Sequence, residues 1–411
     1  MVSSVQATSK NSFSFGIEEE YFLADTETFE APSDTPAALF DKLDQNTGGR
    51  AGRESLQAQM EVSTMPARSA TAAKEELCRL RQASAGAARS HGLAILACGT
   101  HPTACWRHIS PSSSERYLKV MDSLRMIGRR NMLCGMHVHV ELPDPHRRVD
   151  VMTRMIPYLP LFIALSASSP FWEGHETGLL SYRSAAYDEL PRSGFPGIFF
   201  SEEEYGRYVT ALVQAGAIED PSYIWWMVRT SSKYPTLELR APDVCTRLDD
   251  AIAIACLYQG LVSYLFRTPG KFRDLSAADG AIAAENKWRA QRYGIQGTFA
   301  ARDGPKSCAQ FLDEVIDMIA DDAGSLGCSE QILHCRNIIL GGTSADVQLK
   351  VFEERKHEGQ EAALREAAAW IAPLPPYSLA AIFRPCTGGD GHGSRPRQLP
   401  PLRLRRMDVH A

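Results

Sequence analysis

The chain has 411 residues, of which 44% are hydrophobic, so it can bury a large core in one domain or more. Its formal net charge of -5 provides no basic field, so we expect no nucleic-acid partner. The polar start MVSSVQATSKNS lacks the apolar run of a secretory signal, and the ten cysteines form no CxxC pair, which favours a reduced, cytoplasmic protein without a structural zinc site.

The first predicted element is a strand in FSFGIEEEYFLAD, residues 13–25, after a start (residues 1–12) that we expect to be disordered. Successive side chains of a strand point to opposite faces, so Glu18 and Glu20 share a polar face, opposite a row of apolar side chains. Glu19 is the exception, because it falls on the apolar side. Neighbouring carboxylates repel one another and are costly to bury, so such a pair needs a physical reason.

Three later strands show the same division into an apolar and a polar face. The polar positions are Glu61 in LQAQMEVS, His137 and His139 in LCGMHVHVEL, and Glu238 and Arg240 in PTLELRAPD. An ordinary antiparallel sheet with one face in water would explain any one of these strands. The four polar faces together are dominated by carboxylates and imidazoles rather than by lysine, threonine and serine, which favours a binding site.

Clustered carboxylates are tolerated where a divalent cation neutralises them, and Mg²⁺ prefers oxygen ligands. The sequence therefore predicts a magnesium site made by side chains from all four strands: Glu18, Glu20, Glu61, His137 and Glu238. Arg240 would then be free to bind a phosphate through two parallel hydrogen bonds. The common nucleotide-binding motifs, GxxxxGK[ST] and GxGxxG after a strand, are both absent. ATP would therefore bind through phosphates that are bridged by the metal.

A metal-dependent hydrolase or oxygenase is the alternative from a different class of chemistry. In that case His137, His139 and a carboxylate would hold Zn²⁺ or Fe²⁺. Such sites generally need fewer carboxylates and no phosphate-binding arginine. This alternative therefore explains Glu18 and Glu20 poorly.

The remaining segments read as helices and one tail. Helices are predicted at residues 71–92, 115–130, 205–215, 249–266, 308–320 and 352–371. The uncharged run at 155–172 is about as long as a membrane span, but its three prolines favour a buried helix, so we expect no membrane contact. Residues 373–411 are rich in proline, glycine and arginine and are predicted to be disordered, which leaves 13–372 as the catalytic domain.

From residue 13 to about residue 340 the sequence resembles bacterial carboxylate–amine ligases of the glutamate–cysteine ligase type 2 family. The motifs that carry the resemblance are, in order, FGIEEEYFL, QMEVST, ACGTHP, CGMHVHVELPD, LSASSPFWEGHETGLLSYRS, PTLELRAPDVC, DDAIAIACL and ENKWRAQRYG. This family resembles glutamine synthetase, which implies an α+β fold: an antiparallel sheet with a concave polar active-site face, covered by helices. The ExE, GxHxH and ExR strands of that superfamily fall on Glu18 with Glu20, His137 with His139, and Glu238 with Arg240.

The resemblance implies an ATP- and Mg²⁺-dependent ligase that phosphorylates a carboxylate and lets an amine attack the acyl phosphate. The resemblance implies a weak glutamate–cysteine ligase activity, which leaves another acid and amine open as the substrates, and it implies a homodimer. Arg240 and His137 would be catalytic, and further substrate or nucleotide contacts are predicted for His139, Tyr182, Arg183, Arg289 and Arg292. A structural hydrogen bond would explain His139 about as well, and a surface ion pair would explain Arg289. Because the end of the chain departs from the family pattern, a weakly active ATP-binding protein is a further alternative.

Overall fold

The computed structural model describes residues 13–270 and 274–372, so the predictions for residues 1–12 and 373–411 lie outside the described residues. The strands are β1 (Phe15–Asp25), β2 (Ala51–Arg53), β3 (Gln59–Ser63), β4 (Leu93–Leu96), β5 (Met136–Glu141), β6 (Phe171–Trp172), β7 (His175–Glu176), β8 (Val228–Thr230), β9 (Thr236–Leu239), β10 (Thr298–Phe299) and β11 (Lys306–Ser307). The α-helices are α1 (Ala37–Thr47), α2 (Ala70–Arg89), α3 (Glu115–Leu124), α4 (Met126–Arg129), α5 (Arg148–Met155), α6 (Leu159–Ser166), α7 (Tyr182–Ala186), α8 (Glu202–Gln214), α9 (Leu248–Arg267), α10 (Ala277–Tyr293), α11 (Cys308–Met318), α12 (Ala320–Leu326), α13 (Ser329–Gly341), α14 (Ser344–Arg355) and α15 (Gln360–Ile371).

Seven strands form one antiparallel sheet in the order β2-β3-β1-β5-β9-β8, and β4 pairs with the end of β1. Residues that lie directly opposite each other in a sheet present their side chains on the same face. The register places Glu20 opposite Glu61, and His139 opposite Glu238. It also places Glu18 opposite His137, so the predicted polar positions share one face.

The other face of the sheet lies against helices α2, α5 and α9. Ile17, Val138 and Leu239 on that face are fully buried. Along α9, almost every side chain from Leu248 to Leu265 is buried, because this helix runs through the interior of the protein. The prediction of a mixed fold with an antiparallel sheet that is apolar on one face and polar on the other is confirmed.

Two helical stretches, Pro145–Ser166 and Leu248–Arg267, would be long and apolar enough to cross a membrane. In this structure 89% and 94% of their most apolar windows are buried inside the protein, as in the core helices of a folded domain. Every side chain of α6 is buried, which confirms the buried helix predicted within 155–172.

Two predicted helices are interrupted in the structure. The helix predicted at 115–130 is broken at Arg125, whose φ of 54° is incompatible with a continuing right-handed helix. The helix predicted at 352–371 is wrong as a single element. It is divided between α14 and α15 by Gly359, whose φ of 109° only glycine adopts readily.

Candidate active site

A cleft of about 530 Å³ lies over the polar face of the sheet. Strands β1, β3, β5 and β9 supply its floor, and the walls come from α3 and from two segments that flank β8, residues 222–225 and 231–234. Among the described residues, five carboxylates line this cleft: Glu18, Glu20, Glu54, Glu61 and Glu238. The negative charges of five glutamates around one cavity must be neutralised by nearby cations.

Three of these carboxylates, Glu20, Glu54 and Glu61, form one group with oxygens within 4.8 Å of one another. Burial, followed by repulsion from Glu54, raises the pKa of Glu20 from 4.5 to about 7. The same two causes raise the pKa of Glu61 well above its ordinary value. The Gly135 amide donates to Glu20 Oε2 at 2.6 Å, which holds that carboxylate in place. We call these three residues the carboxylate cluster.

A second group, Glu18, His139 and Glu238, also has ligand atoms within 4.8 Å of one another. Burial opposes ionisation of Glu18, but the imidazoles of His137 and His139, 3.6 and 3.5 Å from its oxygens, hold its pKa below the usual range. Burial likewise opposes ionisation of Glu238, yet the charges of Arg240 and Arg229 lower its pKa. We call Glu18, His139 and Glu238 the mixed cluster. Because histidine and arginine side chains lie beside its carboxylates, their negative charge is already partly compensated.

His137 lies between the two clusters. Its Nδ1 is 3.6 Å from Glu18 Oε2, and its Nε2 is 3.8 Å from Glu20 Oε1. Burial, followed by repulsion from Arg240, lowers the pKa of His137 to about 4, so the imidazole is neutral at pH 7. Its Nε2 is buried and has no hydrogen-bond partner among the described residues. A neutral imidazole with an unpartnered nitrogen is the form that binds metals.

These features fit a site for divalent cations. Two of the three carboxylates in the carboxylate cluster have raised pKa values, partly because the carboxylates repel one another. A bound cation would neutralise their negative charge and remove this repulsion. Carboxylate oxygens are the preferred ligands of Mg²⁺. The unpartnered nitrogen of His137 adds a possible metal ligand between the two clusters.

Among the described residues, four arginines line the cleft, and Arg183 and Arg240 are two of them. Arg240 lies just beyond the end of β9, where one guanidinium nitrogen pairs with Glu238 and Nη2 lies 3.3 Å from the Tyr187 hydroxyl. Arg183 is 3% exposed, and its Nη1 lies 3.9 Å from Asp243 Oδ1. Within the described part of the chain, the buried Nε of Arg183 and that of Arg240 have no hydrogen-bond partner. Both cations therefore retain donors for an anionic ligand.

Gly135 leaves room for the Arg183 side chain. A Cβ atom added at Gly135 would lie only 2.0 Å from Arg183 Nη2, closer than any real contact between these atom types. The absence of a side chain at Gly135 is thus a condition for the observed position of the guanidinium. On its other side Asp243 accepts hydrogen bonds from Ser169 and Ser181, at 2.6 and 3.0 Å, and is held against Arg183.

The structure brings most of the predicted site residues into one cleft: Glu18, Glu20, Glu61, His137, His139, Arg183, Glu238 and Arg240. Three predicted residues do not appear among the described residues that line it. Tyr182 packs against Trp172 with ring centroids 5.3 Å apart. Arg289 pairs with Glu285 at 2.8 Å, as its helical spacing predicts, and Arg292 lies exposed over the ring of Tyr293.

Glu54 and Arg229 are among the cleft residues that the sequence did not predict. Glu54 lies two residues after Gly52, which pairs with Glu61, so a correct pairing of β2 with β3 would have placed it on the polar face. The three-residue strand β2, with the sequence AGR, gives no periodic signal of its own. Arg229 lies opposite Glu238, and the turn residues between β8 and β9 could have revealed this hairpin.

Comparison with known sequences gives a consistent family match. The sequence model described as "Glutamate-cysteine ligase family 2" matches residues 14–366. A Bradyrhizobium diazoefficiens protein named "Putative glutamate--cysteine ligase 2" is 51% identical over 360 residues, which cover 88% of this chain and 83% of the relative. A protein of the same name from Bradyrhizobium sp. (strain BTAi1) is 53% identical over 372 residues, covering 90% and 91% of the two chains.

Solved structures share the fold at low sequence identity. A glutamate–cysteine ligase from Francisella tularensis, solved in complex with AMP, superposes with a TM-score of 0.65 at 13% identity and covers 91% of this chain and 92% of its own. A bifunctional glutathione synthetase from Pasteurella multocida also gives 0.65, at 15% identity, over 90% of this chain and 54% of its own. These likenesses confirm the predicted α+β fold.

Proposed function

Because the chain belongs to glutamate-cysteine ligase family 2 and is an ATP-dependent ligase of that family, we propose that it joins a carboxylate to an amine through an acyl phosphate. One observation carries the proposal. The carboxylate cluster, the mixed cluster and Arg240 lie on the same face of one sheet and open into the same cleft. Phosphoryl transfer depends mainly on positioning and on neutralisation of phosphate charge, and this arrangement offers both. The hydrolase and oxygenase alternative is not supported.

We propose that the two clusters bind Mg²⁺, through Glu20, Glu54 and Glu61 on one side and through Glu18 and Glu238 on the other. His137 would bind from between the clusters, since its Nε2 is open. Bound Mg²⁺ supplies neutralisation of phosphate charge. His139 has a raised pKa because Glu18 and Glu238 outweigh its burial, and its Nε2 lies 3.5 and 4.0 Å from these carboxylates, so we assign it the role of compensating their negative charge.

The chain's own cations would act on the reacting groups. Arg240 would bind the γ-phosphoryl group, because its guanidinium stands beside the mixed cluster with donors to spare. Arg183 would hold a carboxylate or the acyl phosphate near the carboxylate cluster, since it is fixed in the cleft by Asp243 and by the space at Gly135.

Glutamate and cysteine are the first substrates to test, because the named relatives carry them in their name. A cytoplasmic location agrees with the nine cysteines of the described ranges, all of which are free thiols. The homodimer stays a prediction from the family resemblance.

The test is ADP release from ATP and Mg²⁺ in the presence of pools of acids and amines that include glutamate and cysteine. We expect ADP only when an acid and an amine are both present, together with an amide product detected by mass spectrometry. The Glu20→Gln variant should lose this activity while its circular dichroism spectrum stays that of the wild type. ADP release that needs no acid, or no release with any pool, would contradict the proposal.

Metal binding should depend on pH. Glu20 has a pKa of about 7 without metal, so it is largely protonated below pH 7 and must lose that proton to bind a cation. We therefore expect the affinity for Mg²⁺ to fall at least about tenfold between about pH 8 and about pH 6. Calorimetry in buffers of different ionisation enthalpy would measure the released protons. The Glu20→Gln variant should release fewer protons on binding Mg²⁺. An Mg²⁺ affinity of the wild type that does not change with pH would refute the assignment of Glu20 as a metal ligand.

The Gly135→Ala variant should displace Arg183, because the new methyl group and the guanidinium cannot occupy the same space. We expect kcat/KM to fall on the order of 10²-fold, the effect of a misplacement of about 1 Å in an active site. Gly206→Ala is the matched control, since nothing lies within 4 Å of a Cβ atom there. Equal kinetics for both variants would show that the position of Arg183 is unimportant for catalysis.

A further inference from the structure

Arg229 makes a double contact with a carboxylate of the mixed cluster. It lies on β8 directly opposite Glu238 on β9. Its Nε donates to Glu238 Oε2 at 2.7 Å, and its Nη2 donates to Oε1 at 3.1 Å. This is the planar, two-point geometry with which arginine fixes the orientation of a carboxylate. The Glu238 carboxylate is therefore held in one plane.

The opposite side of the same guanidinium is bound to the backbone. Arg229 Nη1 donates to the carbonyl oxygens of Ser222 and Ile224, at 2.9 and 2.8 Å. The side chain is 15% exposed, and most of its N–H groups are engaged. Arg229 lines the cleft, but it has little capacity left to bind a phosphate. Its contacts indicate a supporting role rather than direct contact with substrate.

Arg240 differs from Arg229 in how firmly it is held. It also pairs with Glu238, but its other described contact is the Tyr187 hydroxyl at 3.3 Å, and its Nε is unpartnered within the described ranges. If Arg240 moves from Glu238 towards a phosphate, Arg229 remains as the counter-ion of that carboxylate. Without Arg229, departure of Arg240 would leave this buried carboxylate with His139 as the remaining basic side chain within 4.0 Å among the described residues.

We propose that Arg229 is a positioning residue that orients Glu238 for metal binding and frees Arg240 to bind the transferred phosphoryl group. The proposal rests on the proposed function for the role of Arg240, whereas the orientation of Glu238 stands independently of the reaction. Through Ser222 and Ile224, Arg229 also fixes the cleft wall that carries Tyr223. One side chain thus couples the mixed cluster to that wall.

The Arg229→Lys variant tests the proposal, because lysine keeps the charge but cannot reproduce the two-point contact. We expect the dissociation constant for Mg²⁺, measured by calorimetry without ATP, to rise at least about tenfold, the range found for residues that orient metal ligands. kcat should fall by more than KM changes, because Arg240 is then retained by Glu238. Arg148→Lys is the matched control, since Arg148 also binds backbone carbonyls, those of Ser231 and Tyr234, but forms no such pair with Glu238. Its Mg²⁺ affinity should match the wild type.

Measuring Arg229→Lys in a Glu238→Gln protein distinguishes orientation of Glu238 from support of the cleft wall. In Glu238→Gln, Arg229→Lys should cause no further loss of Mg²⁺ affinity, and an equal further loss would overturn the proposal. Unchanged Mg²⁺ affinity in folded Arg229→Lys alone would also overturn it. If the wild type forms no amide with any substrate pool but Mg²⁺ affinity still depends on Arg229, the proposed function fails while the orientation of Glu238 by Arg229 stands.

Discussion

Replacing Arg240 with alanine should lower kcat about 10³-fold or more while the protein remains folded. The guanidinium stands next to the mixed cluster, and its proposed partner is the phosphoryl group whose charge spreads during transfer. Removing an arginine that stabilises this charge typically costs a factor of about 10³ to 10⁵ in rate. The measurement is single-turnover formation of ADP with saturating ATP and substrates, which separates the chemical step from product release.

Two comparisons make the Arg240 result specific. Arg336→Ala removes another arginine that pairs with a carboxylate, Asp313 at 2.7 Å, but on the exposed surface, so its rate should equal that of the wild type. Arg240→Lys keeps the charge without the two-point geometry, so it should recover only part of the rate. A rate within about threefold of wild type for Arg240→Ala would remove this residue from the phosphoryl-transfer step.

Replacing Arg81 with methionine should destabilise the fold by about 3–5 kcal/mol, because it leaves a buried carboxylate without its counter-ion. Arg81 Nε and Nη2 donate to the two oxygens of Glu19 at 2.8 and 2.6 Å, and Glu19 is fully buried. Two further bonds from Arg81 reach the carbonyls of Cys245 and Thr246, so this arginine also joins α2 to the segment just before α9. Urea and thermal unfolding followed by circular dichroism would measure the loss.

The double variant Glu19→Gln/Arg81→Met distinguishes an unpaired charge from lost packing. Without the carboxylate, the double variant should be clearly more stable than Arg81→Met alone, since the Tyr21 hydroxyl that donates to Glu19 at 2.5 Å can still bond to the amide. Equal stability of the two variants would show that packing of the arginine, not its charge, is responsible. Neither residue lines the cleft among the described residues, so Mg²⁺ affinity should change little.

Alternation along the strands was enough to predict which strand residues share the polar face, whereas the antiparallel sheet was implied by the family resemblance. Glu18, Glu20, His137 and Glu238 share one face because each strand has a period of two, and that period is visible in the sequence. The partner of Glu19 was not predictable in this way. Arg81 lies on a different element, and only tertiary packing brings the two together.

Two of the missed residues, Glu54 and Arg229, depend on strand pairing. Glu54 and Arg229 enter the site because β2 pairs with β3 and β8 pairs with β9, and both edge strands are three residues long. Such short strands have too few residues to show a period. Arg289, in contrast, lies on a helix whose spacing correctly predicted its ion pair with Glu285, and that spacing carries no information about distance from a cleft.

The order of strands along the chain has a consequence for synthesis on the ribosome. β1 and β3 leave the ribosome early, but β5 gains its second neighbour only when β9, Thr236–Leu239, has been made. At roughly 5–20 residues per second, β9 therefore follows β5 by about 5–20 seconds. During that time one edge of β5 has no strand beside it and is open to pairing with other nascent chains. We expect release of the growing chain before β9 to yield aggregates, and chaperones to matter most for fragments that end between β5 and β9.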